Sequence, residues 1–290
     1  MWMYVLLMLE AAAAGVAVIR SRRQYVSWVA GHPELFRGTA FVRLSAAALW
    51  CADRCRLSER FTASVGKVHQ LMIGLYGAKQ ALPYTRWFLA KLLILMYAVI
   101  CLFTALGGAT EGNAEMLVYG VLLALLLPFL LYKQTYDQLK RKKRQMLIEL
   151  PEVVNQLMLL IGAGETVAQA LVRTVHTKGE EMTPLQKELS VAVYALKMNA
   201  SFPRVMEDFS KRCGLPEVSL FTTTLLLNYK RGGEDLIISL KELSVTLWEK
   251  RKALARTLGE EASSKMVFPM VLIFFAVMII IAAPALLVMN

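Results

Sequence analysis

Four long apolar runs constrain this chain more than any other feature of its sequence. They occupy residues 2–19, 87–109, 116–132 and 266–289. A helix of about 20 apolar residues crosses a hydrocarbon core of about 30 Å. Hydrophobic residues also make up 57% of the 290 positions and charged residues only 19%, a balance atypical of soluble domains. The sequence therefore predicts an all-α integral membrane protein with four transmembrane helices.

The positions of the basic residues predict the orientation of these helices. All 33 Lys and Arg lie in residues 20–91 or 133–265, and the short loop between the second and third runs carries Glu111 and Glu115 instead. Because Lys and Arg are enriched in cytoplasmic loops, we expect both long polar segments in the cytoplasm and both termini outside. The predicted domains are a first span (residues 1–19), a basic helical segment (20–86), a transmembrane hairpin (87–132), a cytoplasmic helical domain (133–265) and a last span (266–290).

The first apolar run has two features of its own. Arg20, Arg22 and Arg23 follow it rather than precede it, which favours a retained anchor over a cleaved signal peptide. Glu10 lies near its middle, where an ionised carboxylate is costly. We therefore expect Glu10 to face protein, either as a partner contact or polar relay, or as a hydrogen-bonded or neutral carboxyl within the bundle.

A dense basic cluster follows the third run. It consists of Lys140, Arg141, Lys142, Lys143 and Arg144. Such a cluster just inside a span is typical of an orientation signal that binds anionic lipid, and docking of an acidic partner is the alternative. The net charge of +11 does not indicate nucleic-acid binding, because the basic residues are not interleaved with aromatic residues in one domain.

Start signals for short helices recur within residues 133–265. Thr166 with Gln169, and Thr183 with Gln186, have the spacing of a capping box, in which each side chain bonds the backbone N–H of the other residue. Ser201 occupies an equivalent cap position. The apolar residues that follow predict buried stripes at helical spacing. The stripes contain Leu147, Leu150, Val154, Leu157 and Ile161; Leu185, Leu189, Val193 and Leu196; Val205, Met206 and Phe209; and Leu236, Leu240, Leu243, Leu247 and Leu254.

Stop signals alternate with these starts. Gly164, Asn199 and Gly214 stand where a helix would close in the left-handed conformation, which Gly and Asn tolerate best. Pro151 either kinks the first helix or marks its start. The last helix begins near Glu234 and is expected to continue into the fourth span as one rod.

Catalytic and metal-binding patterns are missing from the sequence. His32, His69 and His176 stand far apart, without companion acids or thiols. Cys51 and Cys55 are one helical turn apart, but no second pair accompanies them at zinc spacing. We therefore predict no catalytic, cofactor or metal site and a chain that is not an enzyme, with a membrane enzyme lacking any known motif as the alternative.

The order of these features resembles the type II secretion F domain, found in platform proteins of type II secretion systems, type IV pili and Tad (tight adherence) pili. The matching features are Leu150-Pro151; Ala163-Gly164-Glu165-Thr166 followed by Ala170-Leu171; Glu188-Leu189; Arg231-Gly232-Gly233 before Leu236 and Leu240; and a basic helix running into a final span near Pro284. The resemblance implies a six-helix antiparallel cytoplasmic bundle. A single such domain, with a span before it, a hairpin and a terminal span, looks like the Tad subclass.

The resemblance also implies a function. The chain would be an inner-membrane platform subunit that couples a cytoplasmic assembly ATPase to the assembly of pilin-like subunits or to protein secretion, without a cofactor. Its other partners would be a second F-domain protein or a second copy of itself, and membrane lipids. A sporulation-channel component with a similar domain is one alternative. A small transporter or channel is another, but it needs polar residues converging within the spans, where only Glu10 and Lys91 are candidates.

Two predicted helix turns are candidates for partner binding. The first contains Gly164, Glu165 and Thr166, and the second contains Arg231, Gly232 and Gly233. Glycine lets a partner approach the backbone closely, and Glu165 and Arg231, both expected to be exposed, could fix the register of a complex. Alternatively, these glycines serve only as helix caps.

Overall fold

The computed structural model describes residues 2–21, 25, 39–54, 62–109, 114–176, 182–229 and 233–288. All regular elements among these residues are α-helices, so the all-α prediction is confirmed for the described ranges. The helices are α1 (Trp2–Ser21), α2 (Thr39–Arg54), α3 (Thr62–Tyr76), α4 (Ala81–Ala109), α5 (Ala114–Gly162), α6 (Val167–His176), α7 (Pro184–Lys197), α8 (Phe202–Cys213), α9 (Pro216–Asn228) and α10 (Gly233–Val288). They form two compact units, unit 1 (Met1–Lys143) and unit 2 (Arg144–Asn290).

Four of these helices are long and apolar enough to cross a membrane. The candidate spans are Tyr4–Ser21 in α1, Ala81–Ala109 in α4, Glu115–Gly162 in α5 and Glu234–Ala282 in α10. This confirms the predicted number of candidate transmembrane helices, judged by length and composition. Within α10, the large apolar side chains from Met266 to Ile281 are exposed, as expected for a surface that lipid covers.

Two helices continue well beyond their apolar parts. α5 runs without a break from Ala114 to Gly162, so the interpretation of Pro151 as a helix start is wrong. The helix continues there because Leu150, Val153 and Val154 are buried, and packing outweighs the unfavourable helix propensity of proline. α10 is likewise continuous over 56 residues, which confirms the predicted single rod.

Unit 1 is held together by contacts of α4 with α1, α2 and α3, and of α1 with α2. α3 and α4 form an antiparallel hairpin whose turn contains Gly77 at φ 84°. Across this hairpin the rings of Tyr76 and Tyr84 stack at 3.5 Å, and His69 Nδ1 is hydrogen-bonded to Thr85 Oγ1 at 2.9 Å. The buried clusters are small: one contains Ala48, Leu49 and Ala90, and the other Val68, Met72, Ala81, Phe88 and Leu131.

Unit 2 has a larger apolar core. Six helical segments contribute to it within the described residues: the end of α5, all of α6 to α9, and the start of α10. Most residues of the predicted stripes are buried there, and Leu147, Leu196 and Leu254 are half-buried. The fully buried large side chains include Met146, Leu150, Leu157, Leu171, Leu185, Leu189, Met206, Phe209, Phe221, Leu225 and Leu236.

The predicted helix starts have three different outcomes. Thr166 N donates to Gln169 Oε1 at 3.2 Å, and Gln169 N donates to Thr166 Oγ1 at 3.3 Å, which confirms the first capping box. Thr183 and Gln186 form the second one. Ser201 takes the N-cap position of α8, but its side chain makes no capping hydrogen bond. Pro203, in the first turn of α8, has no N–H to donate.

The predicted helix ends are confirmed at three positions. Gly164, Asn199 and Gly214 have φ values of 94°, 61° and 57°, all in the left-handed region. At the first of them, Gly164 N donates to Ile161 O at 2.9 Å and Glu165 N donates to Leu160 O at 3.1 Å. These bonds satisfy carbonyl groups that the end of α5 leaves open.

Candidate functional site

Several helix ends of unit 2 lie together at one end of it, which we call the distal end. Phe202 at the start of α8 stacks on Tyr229 after α9, with ring centres 4.4 Å apart. A Cβ atom at Gly162, the last residue of α5, would lie 3.9 Å from Ile237 Cδ1 in the first turns of α10. A surface depression lined by the start of α6 and Leu196 near the end of α7 adds the turns at residues 163–166 and 198–201 to the same end.

The distal end lies far from the apolar part of α10. Asn228 Nδ2 at the end of α9 donates to Ser239 Oγ at 3.3 Å, while Glu217 at the start of α9 pairs with Lys250 at 2.7 Å. α9 and α10 therefore run in opposite directions. Residue 237 precedes residue 266, where the apolar run begins, by 29 positions, or about 44 Å at about 1.5 Å per residue.

The first predicted partner-binding turn lies at the distal end. Gly164 is exposed, and no atom lies within 4 Å of the position its Cβ would take. Its φ of 94°, rather than a close approach, is what favours glycine there. Thr166 is exposed and caps α6.

Glu165 differs from its prediction. Its side chain is only 21% exposed and is paired with Arg173, whose side chain is 67% exposed. The expectation that Glu165 is an exposed carboxylate is therefore wrong, because a guanidinium two turns along α6 reaches back over it. The exposed charge at this turn is the cation.

In the second predicted turn, Arg231 and Gly232 lie outside the described residues. Gly233 is the first residue of α10 and belongs to the distal end, four residues before Ile237. Of the six candidates, the structure thus places Gly164, Glu165, Thr166 and Gly233 at one end of unit 2.

Exposed apolar side chains around the distal end were not predicted from the sequence. We call them the distal apolar surface: Leu159, Tyr194, Met198, Leu227 and Ile238, each between 55% and 69% exposed. The sequence signal was a second apolar stripe on α7, at residues 191, 194 and 198, opposite the stripe assigned to the core. Exposed apolar patches on a polar domain are typical of interaction sites, so this end is the candidate docking surface.

Residues 153–284 match the family model for the type II secretion system (T2SS), protein F. We refer to them below as the F domain. The match covers the end of α5, the helices α6 to α9 and nearly all of α10. No curated protein and no solved structure matches the chain. Together with the four candidate spans, the F domain indicates a multi-pass membrane protein of a secretion or pilus system.

Glu10 lies outside the F domain, in unit 1, and contacts α4. Thr104 Oγ1 donates to Glu10 Oε2 at 3.1 Å, and Cys101 Sγ lies 3.5 Å from the same oxygen. Tyr97 Oη donates to the carbonyl oxygen of Glu10 at 3.0 Å. Lys91, ten residues before Cys101 in α4, lies with Nζ 5.2 Å from the ring centre of Trp87. The two ionisable side chains of these candidate spans therefore have separate surroundings.

Some residues of the basic cluster are exposed, and others make contacts within the protein. Lys140 and Arg141 are exposed. Lys142 Nζ donates to the carbonyl oxygens of Gly74 at 3.4 Å and Leu75 at 2.8 Å, where a cation stabilises the end of α3. Lys143 is half-buried.

Arg144, the last residue of the cluster, belongs to unit 2. Its Nη2 and Nη1 donate to the two carboxylate oxygens of Glu261 at 2.8 and 3.3 Å, a two-point contact between α5 and α10. The sequence alone did not indicate these structural contacts of Lys142 and Arg144.

Metal-ligand geometry is absent from the described ranges. No group of three or more His, Cys, Asp or Glu there could hold a metal ion. His69 is hydrogen-bonded to Thr85, whereas His32 and Cys55 lie outside the described residues. His176 ends α6.

Proposed function

We propose that this chain is an inner-membrane platform subunit of a Tad pilus, type IV pilus-like or type II secretion system. The observation that carries the proposal is the F domain at residues 153–284, whose last helix α10 is continuous with an apolar span. Among these systems we favour Tad, because three further candidate spans precede the single F domain.

The helical part of the F domain, in this proposal, is a six-helix antiparallel bundle in the cytoplasm. The Lys and Arg residues confined to 20–91 and 133–265 support that side of the membrane. Both termini are then outside. The residues 20–86 form a basic helical segment on the same side as the bundle.

A cytoplasmic assembly ATPase docks, we propose, at the distal end. The partner would contact Gly164, Glu165, Thr166, Arg231, Gly232 and Gly233 together with the distal apolar surface. Exposed apolar side chains there supply area that can be buried, and the exposed cation of Arg173 beside Glu165 supplies a charge that selects an acidic partner surface.

The ATPase performs the chemistry and this chain transmits its motion. α10 joins the distal end to the apolar span as one helix of 56 residues, so a displacement at its start is carried over about 44 Å to the membrane. Pilin-like subunits would be held at lipid-facing surfaces or between copies. A second F-domain protein or a second copy of this chain completes the platform.

A matched pair of leucines on α9 tests the docking surface. Leu227 belongs to the distal apolar surface and is 67% exposed, whereas Leu220 is 48% exposed and lies two turns closer to the start of the helix on the same face. Leu227→Glu should weaken binding of the assembly ATPase from the same organism to the full chain in nanodiscs by at least about tenfold, as at an interface hot spot. Leu220→Glu should change it less than about twofold.

Equal losses for both variants, or a loss for Leu220→Glu alone, would contradict docking at the distal end. A second measurement addresses the absence of catalysis. The purified chain is expected neither to bind nor to hydrolyse ATP by itself. Stoichiometric nucleotide binding would overturn the platform proposal and favour an enzyme.

A further inference from the structure

A cavity of about 560 Å³ lies within unit 1, between α3, α4 and α5. Its volume is in the range of small-molecule sites, about 300–1,000 Å³. The walls are mostly aliphatic and aromatic, with Val65 and Val68 on α3, Leu89 and Leu92 on α4, and Phe129 on α5. Among the described residues that line it, one has a charged side chain, Lys67.

The lining residues lie at one end of two candidate spans. Those of α4 fall between Phe88 and Met96, in the first half of Ala81–Ala109, and those of α5 fall between Pro128 and Tyr132, where the apolar part of that helix ends. Both ends border the basic segments assigned above to the cytoplasm. The cavity is therefore at the depth of the inner leaflet.

α3 forms the third wall and extends from the polar side towards lipid. It runs antiparallel to α4, as the stacking of Tyr76 on Tyr84 and the bond between His69 and Thr85 show. With 15 residues it is shorter than the about 20 that a span requires. Its first turns, which carry Lys67, thus reach the apolar part of α4 without crossing the membrane.

Lys67 gives the lining of the cavity a positive charge. The side chain is exposed, and no carboxylate pairs with it in the part of the chain that the structure describes. A ligand complementary to this arrangement has an alkyl chain for the apolar walls and a negative headgroup for the ammonium. Lys and Arg near the cytoplasmic surface of a membrane attract anionic phospholipids, by about 1 kcal/mol for each residue.

The volume argues against a helix of another protein as the occupant. An α-helix with its side chains is about 10 Å across, so 560 Å³ would hold only about 7 Å of it, little more than one turn. A flexible acyl chain fills such a space without that restriction.

We propose that this cavity binds an acyl chain of an anionic phospholipid from the inner leaflet and that Lys67 Nζ contacts its headgroup phosphate. The bound lipid would join α3 to the hairpin of α4 and α5. The site is separate from the basic cluster at residues 140–144, and it does not depend on the partners proposed above.

Photolabelling can locate the lipid. The full chain is placed in phosphatidylcholine nanodiscs that contain a small fraction of phosphatidylglycerol with a diazirine on its acyl chain, and labelled peptides are identified by mass spectrometry. We expect labels to concentrate on residues 88–96 and at Phe129. The phosphatidylcholine probe with the same chain should label these positions about fivefold less, since one Lys contributes about 1 kcal/mol with an anionic lipid.

Two lysines of the same helical hairpin provide the variant and its control. Lys67→Gln should lower labelling by phosphatidylglycerol to the level of the phosphatidylcholine probe. Lys79→Gln, an exposed lysine in the turn between α3 and α4, should leave it unchanged. Leu92→Trp, which fills the cavity, should remove labelling of residues 88–96 by both probes.

Three results would overturn the proposal. One is labelling that is no stronger in the cavity than on the exposed lipid-facing side chains of α5, such as Leu125. Another is labelling by phosphatidylglycerol that Lys67→Gln does not reduce. The third is cross-linking of residues 88–96 to a second copy of the chain or to another protein in place of lipid.

Discussion

Unit 2 and unit 1 are both helical, but their helices are packed in different ways. In unit 2, Phe209 and Phe221 are almost completely buried, in one cluster with leucines of α5, α6, α7, α9 and α10. In unit 1, the buried clusters are smaller, one with Ala48 and Ala90 and the other around Phe88, and α4 also makes hydrogen bonds to Glu10. Unit 2 therefore has one large apolar core, whereas unit 1 has small contact areas between helices.

Different surroundings of the two units, as proposed above, would produce this difference. In water, helices gain free energy by burying large apolar side chains. In lipid that gain is lost, because the acyl chains are as apolar as leucine, and helices associate through close packing of small residues and through hydrogen bonds. This difference is what the orientation proposed above predicts, with the helical part of unit 2 in water and most of unit 1 in lipid.

The largest expected effect comes from a pair of buried phenylalanines. Phe221→Ala in unit 2 should lower the free energy of unfolding by about 3–5 kcal/mol, since Phe221 has no exposed surface and its loss leaves a cavity in a packed core. Phe88→Ala in unit 1 should cost less, because Phe88 already lines a cavity of about 560 Å³ and its loss removes fewer packing contacts. Pulse proteolysis of the full chain in detergent measures both. Equal losses of unfolding free energy in the two variants would contradict the difference in packing between the units.

Three helix starts of unit 2 should show a graded effect. Thr183 Oγ1 both caps α7 and donates to the buried carboxylate of Glu149, so Thr183→Ala should cost about 2–3 kcal/mol. Thr166→Ala removes only a cap at an exposed turn, for about 1 kcal/mol. Ser201→Ala should cost almost nothing, because that side chain makes no capping bond.

Chemical denaturation of the three variants measures their losses of unfolding free energy. The predicted order would be contradicted if Ser201→Ala were as destabilising as Thr166→Ala. In a Glu149→Gln background, Thr183→Ala and Thr166→Ala should destabilise the chain by similar amounts, since the Glu149 carboxylate supplies the extra stabilisation at Thr183.

In unit 1, the polar contact between α1 and α4 should contribute a smaller energy. A double-mutant cycle of Glu10→Ala with Thr104→Val should give a coupling of about 0.6 kcal/mol, the average for such bonds between membrane helices. Unfolding in mixed micelles with increasing detergent denaturant measures each corner of the cycle. A coupling of several kcal/mol would mean that this contact, rather than close packing, holds α1 in place.

The smallest effect is expected at Tyr25, at the polar edge of unit 1. Tyr25 Oη donates to Asp53 Oδ2 at 2.6 Å, and this hydrogen bond, followed by burial and the negative charge of Asp53, raises the tyrosine pKa from 10.0 to about 12. A raised pKa in the folded state means that the contact stabilises the fold below pH 10 and loses this contribution as the pH rises towards 12.

Asp53→Asn checks that assignment. In ultraviolet absorbance titration of the folded chain, the variant should show one tyrosine whose pKa moves back towards 10. An unchanged titration curve would exclude the contact in solution. Because the side chain of Tyr25 is half-exposed, its effect on overall stability should be small.

Most helix boundaries of unit 2 were predictable from the sequence, because most of its helices have capping residues at their ends. Thr166, Thr183 and Gly214 act within one turn of the chain, so their roles follow from local spacing alone. Ser201 takes the predicted N-cap position, but local spacing did not indicate that its side chain makes no capping hydrogen bond. Glu165 was assigned as exposed because its pairing with Arg173 depends on the three-dimensional course of α6.

Unit 1 and the candidate sites were less predictable for a physical reason. The cavity at Lys67 requires α3 to fold back along α4 and α5, and nothing in the periodicity of α3 specifies that arrangement. The roles of Lys142 and Arg144 likewise depend on partners that are 67 and 117 residues away in sequence. The exposure of Leu159 and Ile238 at the distal end likewise depends on which helix ends lie together, and the sequence does not specify this.

The proposed cytoplasmic location of the helical part of unit 2 can be measured by cysteine accessibility. In a cysteine-free background, single cysteines replace Asn113, Met198 and Asn290, and intact cells are treated with a membrane-impermeant thiol reagent. Met198 is 63% exposed at the distal end. The account predicts that the cysteines at positions 113 and 290 react in intact cells and that the one at 198 reacts only after permeabilisation. Reaction at 198 in intact cells, with protection at 113 and 290, would contradict it.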